Sequence, residues 1–386
     1  MRLLQIVVLV LAAAPSLYYI LAIYAAWDYH RRKRNLDPVV ASFTPPVSVL
    51  KPVCGLDREA YENFASFCRQ DYPCYEVLFA AANADDPIVP VVEKIRRDFP
   101  LTPVRLIVGV EHLGENRKLN NLARLAREAC HDLLVVSDSD VRVAPDYLRQ
   151  VAMHFQDSTV GLVTTFFRGA VAGTLGARLE ALVAAAETVP NALVAGKVEK
   201  KIQFAFGWTM ATTKAHLRGI GGFEGMINCH SDDFEIGNRI AARGLRIALL
   251  PSPVEVVLPR QTLREYWRHE LRWAVGLRNV RFGGYLGLLL TFGLPWTILA
   301  MIFSRSLTLA ALYLAAYLFF RLTQVWITAA WALDDASMRR NLWLVPLRDV
   351  INLLIWVEAL FTTTISWRGT SYRVRKGLLC STNSVL

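Results

Sequence analysis

An α/β domain with a largely parallel sheet, carried between membrane helices at both ends, is the architecture this sequence predicts. Three observations lead there. Short strand-like runs alternate with helical stretches through the middle of the chain, apolar runs of spanning length stand before and after it, and basic clusters mark the borders. Over 386 residues the apolar content is 54% and the mean hydropathy +0.30, more than one soluble domain of ordinary composition carries.

Residues 3–27 are apolar. At ~1.5 Å rise per residue they reach ~37 Å, enough to cross a hydrocarbon layer of ~30 Å with some tilt. The run is too long for the core of a cleaved signal peptide, and no small-residue cleavage site precedes the basic cluster. Residues 1–30 therefore read as a retained anchor, and Arg31, Arg32, Lys33 and Arg34 place its C-terminal end in the cytoplasm. Pro45 and Pro46 break the chain before the aliphatic run 47–50, the first strand of a domain expected over 45–280. Strand-like runs at 75–82, 104–110, 133–137 and 161–165 then alternate with helical stretches at 58–69, 88–98 and 118–129. Such alternation implies a mostly parallel sheet covered by helices on both faces, with ligands bound beyond the carboxyl ends of its strands. The segment 263–280, with Tyr266, Trp267, Arg268 and Arg272, suits a helix lying at the membrane interface.

A C-terminal membrane region follows over 283–367. Runs 285–303 and 307–333 are spanning candidates. The run 350–367 follows Asp349 and contains Asn352 and Glu358, and a full crossing there would put the basic tail 368–386 outside, against the positive-inside tendency. A re-entrant or interfacial helix is the favoured reading, so two to three C-terminal membrane helices are expected. The 43 Lys and Arg against 33 Asp and Glu give +10, but the clusters adjoin apolar runs. This is topology before it is nucleic-acid binding, and no nucleic acid partner is expected. Six cysteines without a CxxC pair indicate neither a zinc site nor a disulfide framework.

The sharpest local feature is Asp138-Ser139-Asp140, directly after the apolar run 133–136. Two carboxylates one residue apart at the end of a buried strand offer hard oxygen ligands to magnesium or manganese and, through the metal, to a diphosphate. Asp pairs also shape turns and cap helices. Asp85-Asp86 before Pro87 fits helix capping equally well. Asp232-Asp233 before a helix fits capping too, or a general base beside an acceptor hydroxyl. No GxGxxG or GKS/T pattern exists, so Gly221-Gly222 reads as a turn.

Asp86, the Asp138–Asp140 tripeptide, Asp233 and His269-Glu270-Leu271-Arg272-Trp273 stand in this order with membrane segments on both sides. In that combination the chain resembles the ceramide glucosyltransferases, family 21-like membrane glycosyltransferases with a GT-A domain, including bacterial members and the related hopanoid-associated enzymes. The resemblance runs through VSVLKPVCGLD at 47–57, DYPCYEVLFA at 71–80, ENRKLNNL at 115–122, SDSDVRV at 137–143 and TISWRGTSYRVR at 364–375.

The resemblance implies a Rossmann-like cytosolic GT-A domain in a multi-pass protein of the bacterial inner membrane. It implies transfer of a hexose from a UDP-sugar to a membrane lipid hydroxyl with inversion, UDP-glucose to ceramide first. Transfer of N-acetylglucosamine from UDP-GlcNAc to a hopanoid polyol, a processive polysaccharide synthase, and a scaffold with a decayed transferase domain are the alternatives. Residue by residue, Asp86 would lie near the uracil and ribose, Asp138 with Asp140 would hold Mg2+ or Mn2+, and Asp233 would be the base. Arg272 and Trp273 match the end of a (Q/R)xxRW motif, the Arg to compensate diphosphate charge and the Trp to wall the donor or acceptor pocket. Lys118, Asn120 and Asn121 resemble a donor-side NPKINNL segment. His269 stands where the motif has Gln or Arg, and Asp140 where eukaryotic ceramide enzymes have Gly. The roles of His269 and Asp140, like those of Asp85 and Asp232, stay open here.

Overall fold

The computed structural model describes residues 2–34, 43–109 and 111–381. They form two compact units, each assembled from separated stretches of chain. One comprises Leu36–Ala172, Lys201–Arg260 and Gly377–Leu386, the other Met1–Asn35, Gly173–Lys200 and Gln261–Lys376. This differs from the contiguous 45–280 domain expected: 173–200 and the helix after 261 cluster with the terminal helices.

The first unit is built on strands β1 (Val47–Val53), β2 (Tyr75–Ala81), β3 (Val104–Val108), β4 (Leu133–Val136), β5 (Val141–Arg142), β6 (Val160–Thr164), β7 (Phe167–Ala170), β8 (Met210–Thr213), β9 (Arg246–Leu249) and β10 (Val254–Val257). Seven of them make one sheet in the order β3-β2-β1-β4-β8-β6-β9. All its neighbours are parallel except β8, which runs antiparallel to both β4 and β6. The α/β, largely parallel expectation is met. Its cause is visible in β1 and β4, which are buried at every position, as strands covered on both faces must be. Helix Arg117–Glu128 supplies part of that cover: Leu119, Leu122 and Leu125 pack with Leu50, Leu78 and Leu134, and the Asn116 side chain caps its start.

Two details of topology position the site. The order reverses at β1, flanked by β2 on one side and β4 on the other, and such a switch point opens a crevice at the carboxyl ends. A second sheet, β5-β10-β7, begins two residues beyond Ser139. The acidic tripeptide therefore spans the step from one sheet to the next, and the Asp140 carbonyl accepts from Val257 N at 2.9 Å.

In the second unit three helices are long and apolar enough to cross a membrane: Gln5–Arg34, Leu175–Val198 and Leu307–Ala332. The expected single span at 285–303 is instead a bent pair, Phe282–Thr291 and Gly293–Ser304, meeting at 51°. Pro295 cannot continue the hydrogen-bond ladder, and the freed Gly293 N–H donates to the Tyr19 hydroxyl at 3.0 Å.

Helix Leu175–Val198 looks soluble by local charge, yet three of its charged groups, Glu180, Glu187 and Lys197, meet partners in this unit. Glu180 faces His269, Glu187 pairs with Arg348, and Lys197 pairs with Asp28. Its π-helical turn, Ala184–Thr188, leaves carbonyls at Ala185 and Ala186 that accept from Gln324 and Arg321. Helix Val345–Phe361, 17 residues, turns Leu347, Val350, Leu354, Val357 and Phe361 outward at spacings of three and four and buries Arg348, Ile355 and Ala359. A hairpin of Thr364–Trp367 and Thr370–Arg375 follows it.

Gly237, on helix Asp232–Ala242 of the first unit, gives a test of how tightly that unit is closed. A Cβ there would lie 2.5 Å from Phe204 C and 2.6 Å from Ala205 N, main-chain atoms that cannot swing away. Gly237→Ala should cost about 1–3 kcal/mol by overpacking and lower the thermal midpoint. A melt matching wild type would show that the 204–206 segment yields freely.

Candidate active site

At the carboxyl end of β4 the chain turns abruptly from Leu-Leu-Val-Val to Ser-Asp-Ser-Asp, so buried strand gives way to carboxylates at the switch point. Lys118, one residue into helix Arg117–Glu128, extends its ammonium to Asp138 Oδ1 at 2.8 Å and Asp232 Oδ2 at 3.2 Å. Burial alone would weaken the charge on this amine. Asp138 and Asp232 outweigh burial and hold its pKa above the ordinary lysine range.

Asp232 and Asp233 open helix Asp232–Ala242, at the end of a helix where negative charge is favoured. The Asp233 carboxylate is oriented by two main-chain donors, Phe234 N at 2.7 Å to Oδ1 and Gly207 N at 3.1 Å to Oδ2. Part of its surface reaches solvent, but enough protein surrounds it that burial, followed by the charge of Asp232, pushes its pKa up to about 6, while Lys118 opposes the shift. Gly207 lies against all three groups. A Cβ on it would stand 3.0 Å from Lys118 Nζ, 3.4 Å from Asp138 Oδ2 and 3.6 Å from Asp233 Oδ2. Stacked Phe206 and Trp208, centroids 4.9 Å apart, flank this glycine.

Behind the tripeptide, Lys51 of β1 is fully buried. Its ammonium donates to the Asp138 carbonyl at 2.8 Å and to Ser137 Oγ at 3.3 Å, and lies 3.7 Å from the Phe67 ring centroid. Burial pushes its pKa down to about 7, against the pull of Asp138, Asp140 and Asp57. Ser139 donates to Asp57, so the tripeptide is gripped at both its main chain and its central side chain.

Asp86 sits at the mouth of the same crevice. Both its oxygens accept from Gly55 N at 3.0 Å, and Oδ1 also accepts from Ile88 N. The capping role and a loop tie thus coexist on one carboxylate, while Asp85 is exposed beside it. Asn120 exchanges both amide functions with the Gly114 main chain, and Asn121 donates to Ala80 O. Both are buried, and these bonds make them supports for the loop and β2.

His269, Arg272 and Trp273 belong to the other unit, on helix Leu263–Val280, whose start carries a full Thr262–Glu265 capping box. There Arg272 lies 5.7 Å from the Trp367 ring centroid, and the Trp273 indole donates to His269 Nε2. Sequence reasoning missed Lys51, Asp57 and Gly207. A lysine inside an otherwise apolar strand was the available signal for the first, and a glycine between aromatics for the last.

Asp138, Asp232 and Asp233 around one ammonium leave an excess of negative charge, apt for a cation. Among the described residues no three His, Cys, Asp or Glu side chains converge to hold a metal unaided. Asp138 and Asp140 nevertheless fit one as a hard-oxygen pair, provided a ligand such as a diphosphate supplies further oxygens.

A mostly parallel α/β sheet with carboxylates at its switch point, joined to apolar helices, defines a membrane-type glycosyltransferase. The chain belongs to glycosyl transferase family 21, whose profile matches residues 7–380, and it is a hexosyltransferase. Ceramide glucosyltransferase 3 of Caenorhabditis elegans is 24% identical over 97% of this chain and 83% of its own length. Ceramide glucosyltransferase of Gibberella zeae is 30% identical over 34% of this chain and 28% of its own. In fold, the chain resembles the mannosyltransferase PcManGT of Pyrobaculum calidifontis, solved in complex with GDP-Man and Mn2+. The TM-score is 0.56 at 20% identity, covering 89% of this chain and 99% of that one.

The raised Asp233 pKa has a consequence for stability. An unfolded aspartate releases its proton near ~3.9, the folded one near 6, so between these values the folded state holds more protons and stability rises as pH falls. Relative to Asp233→Asn, which lacks this titration, wild type should therefore gain on the order of 2 kcal/mol between pH 7.5 and 4.5. Parallel pH profiles in denaturant melts of the two proteins would refute it.

Proposed function

We propose that this chain transfers glucose from UDP-glucose to the hydroxyl of ceramide, with inversion. The observation that carries the reading is Asp233, a carboxylate held by two main-chain donors beside an acidic strand end, in a chain similar over nearly its whole length to ceramide glucosyltransferases. In this reading Asp233 takes the acceptor proton as the acceptor oxygen bonds to the anomeric carbon and the bond from that carbon to the diphosphate oxygen breaks. Lys118 holds Asp138 in place and contributes positive charge toward the departing diphosphate. A divalent cation bound by Asp138, Asp140 and the donor would supply further neutralisation of that charge. Asp86 faces the ribose end of the donor. Arg272 compensates diphosphate charge and Trp273 walls the pocket.

Ceramide-dependent UDP release from UDP-glucose by the purified protein is the direct test. It should stop with chelator, return with Mg2+ or Mn2+, and fall by about 10²–10⁴ in Asp233→Asn while donor binding persists. Turnover should also decline as pH falls through about 6, where Asp233 takes up a proton. Substantial turnover by Asp233→Asn would remove the base assignment, and release with no dependence on any lipid would remove the acceptor.

The basic residues Arg31–Arg34 support a catalytic unit facing the cytoplasm, where UDP-sugars are made, and the outward apolar stripe of helix Val345–Phe361 suits the bilayer interface. A single engineered cysteine at position 58 or 157 should resist a membrane-impermeant reagent in intact cells and react after permeabilisation. Labelling of both positions in intact cells would put the unit on the opposite face.

A further inference from the structure

Helix Leu263–Val280 carries His269 and Trp273 four residues apart, so their side chains share one face. The Trp273 indole N–H lies 3.1 Å from His269 Nε2, with the rings edge to face at a centroid distance of 6.0 Å. An indole nitrogen can only donate. Nε2 is therefore the acceptor, and the imidazole proton sits on Nδ1. That nitrogen stands 3.1 Å from Glu180 Oε1. Glu180 is itself held, because its second oxygen accepts from the Gln261 side-chain amide. Gly176, one turn before Glu180, permits the approach: a Cβ there would lie 2.7 Å from Gln261 O and 2.9 Å from Thr262 O. All of these residues belong to one unit. Trp273 is 43% exposed, so packing alone does little to fix its ring.

We infer that Glu180 and His269 are positioning residues: Glu180 sets the tautomer and orientation of His269, and His269 through Nε2 sets the orientation of the Trp273 indole. The inference rests on the reading of Trp273 as a wall of the substrate pocket. The related motif has glutamine or arginine at this position, and of the two only glutamine could replace both contacts. A glutamine amide offers the same two functions, an oxygen to accept from the indole and an N–H to donate to Glu180.

The test combines turnover with a direct view of the indole. Full-length protein labelled with 15N-tryptophan in detergent micelles gives an indole N–H resonance for Trp273, assigned by its loss in Trp273→Phe. That resonance should move upfield in His269→Leu and stay near its wild-type position in His269→Gln. In ceramide-dependent UDP release, His269→Leu should lose about tenfold in kcat with little change in donor KM, and His269→Gln should recover most of it. In a Trp273→Phe background His269→Leu should cost nothing further, since its effect runs through the indole. Should His269→Leu fail a thermal melt, Glu180→Gln tests the other end and should shift the same resonance in the same direction. An unmoved resonance, or an equal kcat loss in the Trp273→Phe background, overturns the inference. If wild type shows no lipid-dependent release at all, the proposed function fails while the resonance still decides the positioning chain.

Discussion

One ammonium lets this site exist. Lys118 stands between Asp138 and Asp232, carboxylates from segments almost a hundred residues apart, and without it these charges and Asp233 would repel one another in a partly dry crevice. Three pieces of chain end at that nitrogen: the close of β4, the first turn of helix Arg117–Glu128 and the first turn of helix Asp232–Ala242. Two helix starts aimed at one cluster of acids add the favourable end of their dipoles. The compensation is incomplete: burial first, and the charge of Asp232 after it, raise the Asp233 pKa against the pull of Lys118. In the proposed role of Asp233 as base, a carboxylate poised near neutrality suits a proton acceptor.

The other unit, with its helices long and apolar enough to cross a membrane, solves a similar problem with different partners. Arg321 is held by Asp349 through two hydrogen bonds, at 2.6 and 3.0 Å, and Tyr317 donates to the same carboxylate. Arg348, fully buried, pairs with Glu187. Ionised groups in such a setting are costly unless matched, and each match joins a different pair of helices. The helices are thereby fixed in register by charge as well as by shape.

Much of this was readable from the chain. Apolar four- and five-residue runs announce β1 and β4 because strands covered on both faces need no polar side. The switch to Asp138-Ser139-Asp140 is just as plain. What stayed hidden depended on distant partners. Lys51 is explained by the Asp138 carbonyl, 87 positions away, and by the Phe67 ring. Gly207 matters only for the three charged groups around it. Leu175–Val198 read as soluble because Glu180, Glu187 and Lys197 interrupt it, and their partners His269, Arg348 and Asp28 lie far off in sequence. Asn120 and Asn121 were legible as a motif, but their ties to the Gly114 main chain and to Ala80 O were not, because those partners are set by the fold.

The interruption of the catalytic unit by 173–200 bears on how the protein is made. Strand β8 lies between β4 and β6, both of which emerge from the ribosome before it. Until β8 has been synthesised, β4 keeps one open edge of unpaired N–H and C=O groups, and β6, whose neighbours β8 and β9 both come later, keeps two. The segment that must pass first is a helix apolar enough to cross a membrane, so the sheet is completed only after a stretch that belongs to the other unit has been made. A nascent chain that stalls there exposes open strand edges, the moment at which such a protein most needs a chaperone.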